Sequence, residues 1–129
     1  MGKTEDTKGA TYRDAVTLHR QGRRKQAEAI YKALVDADPN SSQSWFGLGV
    51  VAAEENRPSD GIVYFERAIA TSSLKAAHHH NLASCKGSLG RFAEAEAHFR
   101  EALRMNPDYY EAYFNFAESR AFEQDGQAW

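Results

Sequence analysis

A run of three histidines, His78-His79-His80, is the feature of this 129-residue chain that most resembles a set of metal ligands. In a helix, successive side chains point about 100° apart, so three neighbours cannot converge on one ion. No Cys, Asp or Glu stands three or four residues away to complete a ligand set. The run therefore predicts no metal site and no cofactor. We expect His79 to pack against a neighbouring helix and His80 to face a groove, where it would titrate near neutral pH.

The other reactive side chains lack the neighbours that catalysis requires. Cys85 lies between small residues without an evident base, which favours a buried structural thiol over a nucleophile. A single cysteine also excludes an internal disulfide and fits a reducing compartment. The pairs Glu54-Glu55 and Glu94/Glu96 are typical of solvated helix faces. No catalytic residue is predicted, and we expect the chain not to be an enzyme.

Composition and charge argue against several classes of function. The formal net charge of -2 disfavours a nucleic-acid binder, because such domains usually carry a basic face. No apolar run approaches the roughly 20 residues that a membrane span needs. The first six residues show no signal-peptide pattern. These features predict a cytoplasmic location, with neither a nucleic acid nor a membrane as partner.

The charges are unevenly placed along the chain. A basic cluster, Arg23-Arg24-Lys25, lies near the start, whereas Glu111, Glu118, Glu123 and Asp125 lie near the end. Either the charges only make the surface soluble, or they orient a partner or a second copy in a head-to-tail contact. The sequence leaves both interpretations open.

A repeat with a period of 34 residues must position all of these side chains. The segment 22–31 returns at 90–99, two periods later, and a weaker copy lies between them at 56–65. A period of this length indicates stacked supersecondary units. Such stacks present curved binding surfaces far more often than catalytic pockets.

Helical and helix-breaking signals alternate within each period. Apolar residues recur at three-and-four spacing, and glycine or asparagine supplies a left-handed stop, as at Gly22 and Asn56. No alternating run predicts a strand. The pattern predicts three helix pairs and a last, unpaired helix from Tyr110 to about Glu123. We predict one domain of residues 8–125, between a flexible tail (1–7) and a C-terminal tail (126–129). Within this domain, three repeats cover residues 8–41, 42–75 and 76–109, and a capping helix covers residues 110–124.

The residues at fixed places in the period resemble those of the tetratricopeptide repeat family. Trp45-Phe46-Gly47-Leu48-Gly49 matches the family's aromatic residue followed by Leu-Gly. The resemblance covers about residues 8 to 125. In the other units, the place of Trp45 is held by Thr11, His79 and Tyr113, and the place of Gly49 by Ala15, Ala83 and Ala117. In the second helices, one shared place holds Ala27, Gly61 and Ala95, and another holds Tyr31, Phe65 and Phe99. The units end at Pro39, Ser73 and Pro107.

The resemblance implies an all-α fold and a binding function. Antiparallel helix pairs would stack into a right-handed superhelix, with the first helices lining a concave groove and the second helices outside. The match departs from the family pattern at Thr11 and His79, which are not tryptophan or tyrosine, and at Ser73, which replaces proline. The function implied is a non-catalytic module that binds a protein or peptide segment.

Side chains of the first helices that do not face their partner helix are expected to line this groove. Aromatic and hydrogen-bonding residues are mixed there, which suits an extended or helical peptide segment. We expect Phe46 and Phe114 to anchor it, and Asn81 and Asn115 to bond to its backbone. The alternative is that some of these residues simply pack within the stack. The predicted partner-binding residues are Tyr12, His19, Gln43, Phe46, Val50, Glu54, His80, Asn81, Ser84, Phe114, Asn115 and Glu118.

A more specific ligand known in the family is disfavoured. Some tetratricopeptide proteins hold the C-terminal carboxylate of heat-shock chaperones with a clamp of lysine, asparagine and arginine. The corresponding positions here include Tyr12, Val16, Gly47, Ala77 and Asn81. Only Asn81 fits, because the cations are absent.

Two other interpretations remain open. The segment 115–122 is similar to the repeat region that precedes the catalytic domain of bacterial repeat-containing sulfotransferases, so the chain would be the recognition part of a longer enzyme. Self-association as a homo-oligomer is the other, because the unpaired last helix would leave Tyr113, Phe116 and Phe122 partly exposed.

Overall fold

The chain is all-α in the computed structural model, which describes residues 9–72 and 75–128. No strand occurs in these two ranges, so the predicted fold class is confirmed. The tail predicted for residues 1–7 lies outside the described residues. The helices are α1 (Tyr12–Arg20), α2 (Arg24–Ala37), α3 (Ser42–Glu54), α4 (Pro58–Thr71), α5 (Ala76–Ser88), α6 (Phe92–Met105) and α7 (Tyr110–Ala128).

Each helix pair reverses direction at a residue with positive φ. Gly22, Asn56 and Gly90 have φ of 80°, 58° and 77° and recur with the period of the sequence. The N–H of the residue after each turn donates to a carbonyl five residues earlier, at 2.8–2.9 Å. This left-handed closure satisfies carbonyls at the end of the first helix. The stops predicted from the sequence are therefore present.

Two helix ends differ from the prediction. Thr11, which the period aligns with Trp45, instead caps α1: its Oγ1 accepts a bond from the Asp14 N–H, and the Asp14 carboxylate accepts one from the Thr11 N–H. This reciprocal arrangement is a capping box. At the other end, α7 continues to Ala128 instead of ending near residue 124. Gly126 does not stop α7, because one helical glycine costs only about 1 kcal/mol.

The helices stack as a solenoid of hairpins. Helices α1 and α2, α3 and α4, and α5 and α6 form the pairs, and α2–α3, α4–α5 and α6–α7 contacts join one pair to the next. First helices also approach one another, α1 with α3, α3 with α5 and α5 with α7, whereas no comparable approach occurs between second helices in the described chain. The face made by α1, α3, α5 and α7 is therefore the concave side, as the resemblance implies. None of the described helices has the length and apolarity that a membrane crossing demands.

Small residues let the paired helices approach closely. Ala15, Gly49 and Ala83 occupy the same place in three successive first helices, and all are buried. The clearest case is Gly49, where a Cβ would lie 2.5 Å from Cε1 of Phe65. A large ring in each second helix then fills the space: Tyr31, Phe65 and Phe99 are at most 2% exposed. Contacts among these rings and aliphatic neighbours form the core.

One face of α7 is left uncovered. Ala117 stands at the place of the buried Gly49 but is exposed. Tyr113 and Phe114 are 50% and 67% exposed. Phe116, on the other side of the helix, packs edge-to-face on Phe99 at 5.6 Å between ring centroids. The unpaired helix therefore docks through one side only. The side chain of Phe122 lies outside the described part of the chain.

Candidate functional site

Two cavities open on the concave face among the described residues, one near each end of the stack. The α1–α3 cavity has a volume of about 420 Å³, and the α5–α7 cavity a volume of about 480 Å³. Eight of the twelve predicted binding residues line one cavity or the other, while Gln43, His80, Asn81 and Phe114 line neither. Of the predicted residues, those that line the α1–α3 cavity are Tyr12, His19, Phe46, Val50 and Glu54. Those that line the α5–α7 cavity are Ser84, Asn115 and Glu118.

The carboxylate of the α1–α3 cavity already has partners. Nε2 of His19 is in hydrogen-bond contact with Oε1 of Glu54, and Nε of Arg24 approaches the same oxygen at 3.6 Å. Burial, with smaller contributions from Tyr12 and Glu54, raises the pKa of Tyr31 to about 12, so its hydroxyl stays neutral. This cavity therefore offers aromatic and aliphatic surface, with its acidic group compensated.

Three of the predicted groove rings also pack on the core. Tyr12 lies 5.9 Å from Tyr31, and Phe46 lies 5.7 Å from Phe65, measured between ring centroids. His80 makes the same contact with Phe99 at 6.0 Å. These first-helix positions thus stabilise their own helix pair in all three repeats, which is the packing role that is the alternative to ligand binding. Phe114 stands at the fourth such position and has no ring partner among the described residues.

His80 corrects a specific expectation. It is buried, with 6% of its surface exposed, rather than open to the groove. Asn115 Nδ2 donates to its Nε2 at 2.8 Å, and the Tyr109 hydroxyl lies 3.0 Å from its Nδ1. Burial lowers its pKa, and the opposing effect of Glu111 is smaller. His80 therefore bridges α5 and α7, because Asn115 lies in α7 and Tyr109 directly precedes that helix.

The two asparagines expected to bond a ligand backbone are engaged in the stack. Asn81 Nδ2 donates to the carbonyl of Ala77 at 2.8 Å, within its own helix. Asn115 Nδ2 is held by His80. Each asparagine therefore uses one of its two amide hydrogens within the stack. Gln43 and Phe114, in contrast, are exposed on the first helices.

Sequence reasoning missed a polar cluster between α5 and α6. Nδ1 of His79 lies 3.3 Å from Nδ1 of His98, and Lys86 Nζ lies 3.4 Å from both His98 Nε2 and Glu94 Oε1. Burial, followed by the charge of Lys86, lowers the pKa of His98 to about 4. The signal was available, because Lys86 falls one period after the fully buried Ala52. A charged residue at a buried place of the repeat requires polar partners.

The remaining reactive residues are structural. Cys85 is 3% exposed, and burial raises its thiol pKa to about 11, which makes it a poor nucleophile. His78 packs against Phe46 at 5.0 Å between ring centroids, and Nδ1 of His78 lies 3.2 Å from the carbonyl oxygen of Ser72. Within the described part of the chain, no group of three or more potential ligands is placed to hold a metal ion.

Solved structures with the same fold include proteins of several kinds. The chain is similar to MamA, with 20% identity and a TM-score of 0.79 over 85% of this chain and 64% of that one. It is similar to a variant O-GlcNAc transferase of Thermobaculum terrenum, with 21% identity and a TM-score of 0.81 over 92% of this chain and 23% of that one. It is also similar to the first repeat domain of Spaghetti (RPAP3) bound to an HSP90 peptide, with 15% identity and a TM-score of 0.84 over 88% and 90% of the two chains.

These likenesses, all at or below 21% identity, establish the fold alone. The chain spans less than two thirds of MamA and about a quarter of the transferase. No curated protein matches the sequence. Two family models, both described as tetratricopeptide repeat, match residues 12–76 and 76–109. Together with the stacked hairpins, these matches show that the chain belongs to the tetratricopeptide repeat family.

Proposed function

We propose that this chain is a non-catalytic recognition module that binds a peptide or protein segment along its concave face. The observation that carries the proposal is the pair of cavities on this face, one at each end of the stack and each of about 400–500 Å³. Between them, the first helices offer partly exposed side chains such as Phe46 and Val50. A segment crossing α1, α3, α5 and α7 would place side chains in both cavities. Pockets that accept alternate side chains are how such segments gain specificity.

The comparison with the RPAP3 domain supports the mode of binding but not the ligand. That domain is solved with an HSP90 peptide and shares 15% identity with this chain. The chaperone clamp remains disfavoured here, because Tyr12, Val16, Gly47 and Ala77 supply no cation at the corresponding positions. We therefore infer a different segment in a similarly shaped groove.

Phage selection followed by direct affinity measurement tests the proposal. Dodecapeptides would be selected from a random library on the immobilised protein, synthesised with a fluorescein label and titrated by fluorescence anisotropy. Ser84→Leu fills the α5–α7 cavity, and Phe114→Ala removes an exposed ring of the concave face. Each is expected to weaken binding about tenfold, which is typical of a well-placed interface side chain.

Val63→Ala is the matched control, because Val63 is 57% exposed on α4, a second helix. It should leave affinity within about twofold, since scattered exposed apolar residues contribute little. Circular dichroism would confirm that each variant retains its helices. Selected peptides that bind all three variants as tightly as the wild-type protein would refute binding at the concave face.

A second candidate function is self-association through α7. The exposed face of Tyr113, Phe114 and Ala117 corresponds to a face that is covered in the earlier hairpins. Sedimentation velocity at micromolar concentration, with Ala117→Arg as the disrupting variant, tests it. A monomer at all concentrations would exclude self-association without affecting the peptide proposal.

A third candidate is that the chain is the recognition region of a longer enzyme, such as a repeat-containing sulfotransferase. The match to the transferase, of which this chain spans 23%, shows that similar repeats occur within a larger chain. Sequencing the open reading frame past residue 129 decides it, because a stop codon there would exclude this interpretation. The cytoplasmic location, which the single cysteine favours, also remains a proposal.

A further inference from the structure

The α5–α7 cavity exists because three groove positions of the third repeat carry small residues. Ser84, Gly87 and Ser88 stand where the second repeat has Val50, Ala53 and Glu54. Even a methyl group at Gly87 would come within 3.4 Å of Ser119 Oγ across the cavity. The space of about 480 Å³ lies within the range of pockets that receive ligand groups.

The Ser84 and Ser88 hydroxyls beside this cavity use their hydrogens within their own helix and present lone pairs. The Ser84 hydroxyl donates to the His80 carbonyl at 3.1 Å, and the Ser88 hydroxyl donates to the Ser84 carbonyl at 2.9 Å. Asn115 donates one of its two amide hydrogens to His80, and its carbonyl oxygen can accept a hydrogen from a ligand. A hydroxyl that donates elsewhere offers only lone pairs to a ligand. The wall is therefore suited to a ligand group rich in N–H donors.

The charge at this cavity has the complementary sign. Glu118 lines it, and none of the described lining residues is Lys, Arg or His. Glu118 is exposed and has no ion-pair partner in the described ranges, unlike Glu54 of the α1–α3 cavity, which is met by His19 and Arg24. An uncompensated carboxylate beside acceptor oxygens favours a cation.

The floor suits the rest of a long cationic side chain. Phe92 and Phe99 line the cavity, and Phe99 is fixed in the core with 1% of its surface exposed. The aliphatic part of a lysine or arginine covers apolar surface while the charged end reaches polar groups. The planar guanidinium also stacks on aromatic faces and donates to several acceptors at once.

We propose that the α5–α7 cavity is a subsite for an arginine or lysine side chain of the bound segment, so that the partner is a basic peptide. The inference rests on the proposed function, because it names the chemistry of the segment bound at the same face. Glu118 would pair with the cation, the serine and asparagine oxygens would accept its hydrogens, and Phe99 would support its stem.

Three labelled peptides of identical length test the charge preference by fluorescence anisotropy. They are three copies of Ala-Arg-Ala-Ser, of Ala-Leu-Ala-Ser and of Ala-Glu-Ala-Ser. We expect the arginine peptide to bind at least about tenfold tighter than the other two. Glu118→Gln should weaken it about tenfold, as loss of one charge-assisted hydrogen bond does. Ser84→Leu should weaken it similarly by filling the cavity while leaving Glu118 in place.

Glu66→Gln is the matched control, because Glu66 is an exposed carboxylate on α4 and changes the net charge by the same amount. The subsite is supported if Glu66→Gln leaves the affinity for the arginine peptide unchanged while Glu118→Gln and Ser84→Leu weaken it. Equal losses for Glu66→Gln and Glu118→Gln would show diffuse attraction and overturn it. Tighter binding of the leucine or glutamate peptide, sensitive to Ser84→Leu, would overturn the cationic subsite but preserve the peptide-binding function. If these peptides and those selected from the library all failed to bind, both proposals would fall.

Discussion

Replacement of Gly49 by alanine is expected to destabilise the protein, although alanine is the better helix former. The added Cβ would lie 2.5 Å from Cε1 and 2.7 Å from Cδ1 of Phe65. Apolar carbons ordinarily stay about 3.5–4.0 Å apart, so the ring must retreat by about 1 Å. Phe65 has no exposed surface and also contacts the Phe46 ring, so any retreat strains other side chains.

Two opposing effects set the magnitude for Gly49→Ala. Overpacking of a close-packed core costs about 1–3 kcal/mol, and the gain in helix propensity returns about 1 kcal/mol. The expected net loss is therefore about 1 kcal/mol, or a fall in Tm of about 4 °C for a chain of this size. Ala15 and Ala83 occupy the same place in other repeats. Their presence shows that the helix backbone accepts a Cβ there, and that the cost arises from the position of the Phe65 ring.

Gly87→Ala is the matched control for this prediction. Its Cβ would meet Ser119 Oγ at 3.4 Å, a tight but tolerable contact, and the variant should gain about 0.5 kcal/mol from helix propensity. Urea unfolding followed by circular dichroism at 222 nm, and thermal melts, would measure both. If the Gly49→Ala protein gained as much stability as the Gly87→Ala protein, Phe65 could move away from α3 at no cost. The explanation that α3 and α4 pack closely because residue 49 lacks a Cβ would then be refuted.

Two further predictions concern the histidines. Folding lowers the pKa of His98 to about 4, whereas in the unfolded chain this pKa is near 6.5. Above pH 6.5 His98 is neutral in both states and does not change the free energy of unfolding. As the pH falls from 6.5 towards 4, only the unfolded chain binds the proton, so the folded protein loses stability. Because His98 is partly exposed, we expect this loss to be about 1–2 kcal/mol. The variant His98→Gln should therefore show a smaller change in the free energy of unfolding between pH 6.5 and 4, measured with urea. An unchanged pH dependence would contradict the lowered pKa of His98. His80→Phe should keep the ring contact with Phe99 but lose the bonds to Tyr109 and Asn115, at a cost of about 1–2 kcal/mol. Hydrogen exchange should then accelerate in α7 and not in α3, and unchanged exchange in α7 would show that these bonds do not hold it.

The fold followed from the sequence because each of its determinants recurs locally. The period aligns Gly22, Asn56 and Gly90, and a left-handed residue at a turn has a direct conformational signature. Helix type and order need no knowledge of distant contacts. The end of α7 was less predictable, because no proline or strong cap follows Glu123 to stop the helix.

The chemistry of the concave face was harder to predict because it depends on contacts between repeats. His80 and Asn115 are 35 residues apart, and their bond forms only once α5 and α7 are side by side. Helical spacing predicts that His80 lies on the inner face of its helix, but spacing alone cannot show that the next helix covers it. The buried Lys86 escaped notice for the same reason, since its partners Glu94 and His98 lie on the neighbouring helix.

The exposure of the inner side chains is unequal along the stack for a reason visible in the repeat itself. The rings of Tyr12, Phe46 and His80 each pack against the large ring of their own helix pair. Part of the surface of each side chain is therefore buried in the stack and cannot contact a ligand. Phe114 has no ring partner among the described residues and is 67% exposed. Next to it, the small residues of α5 open the larger cavity. Packing therefore constrains the described side chains least around α7, which is where the proposed subsite for a basic side chain lies.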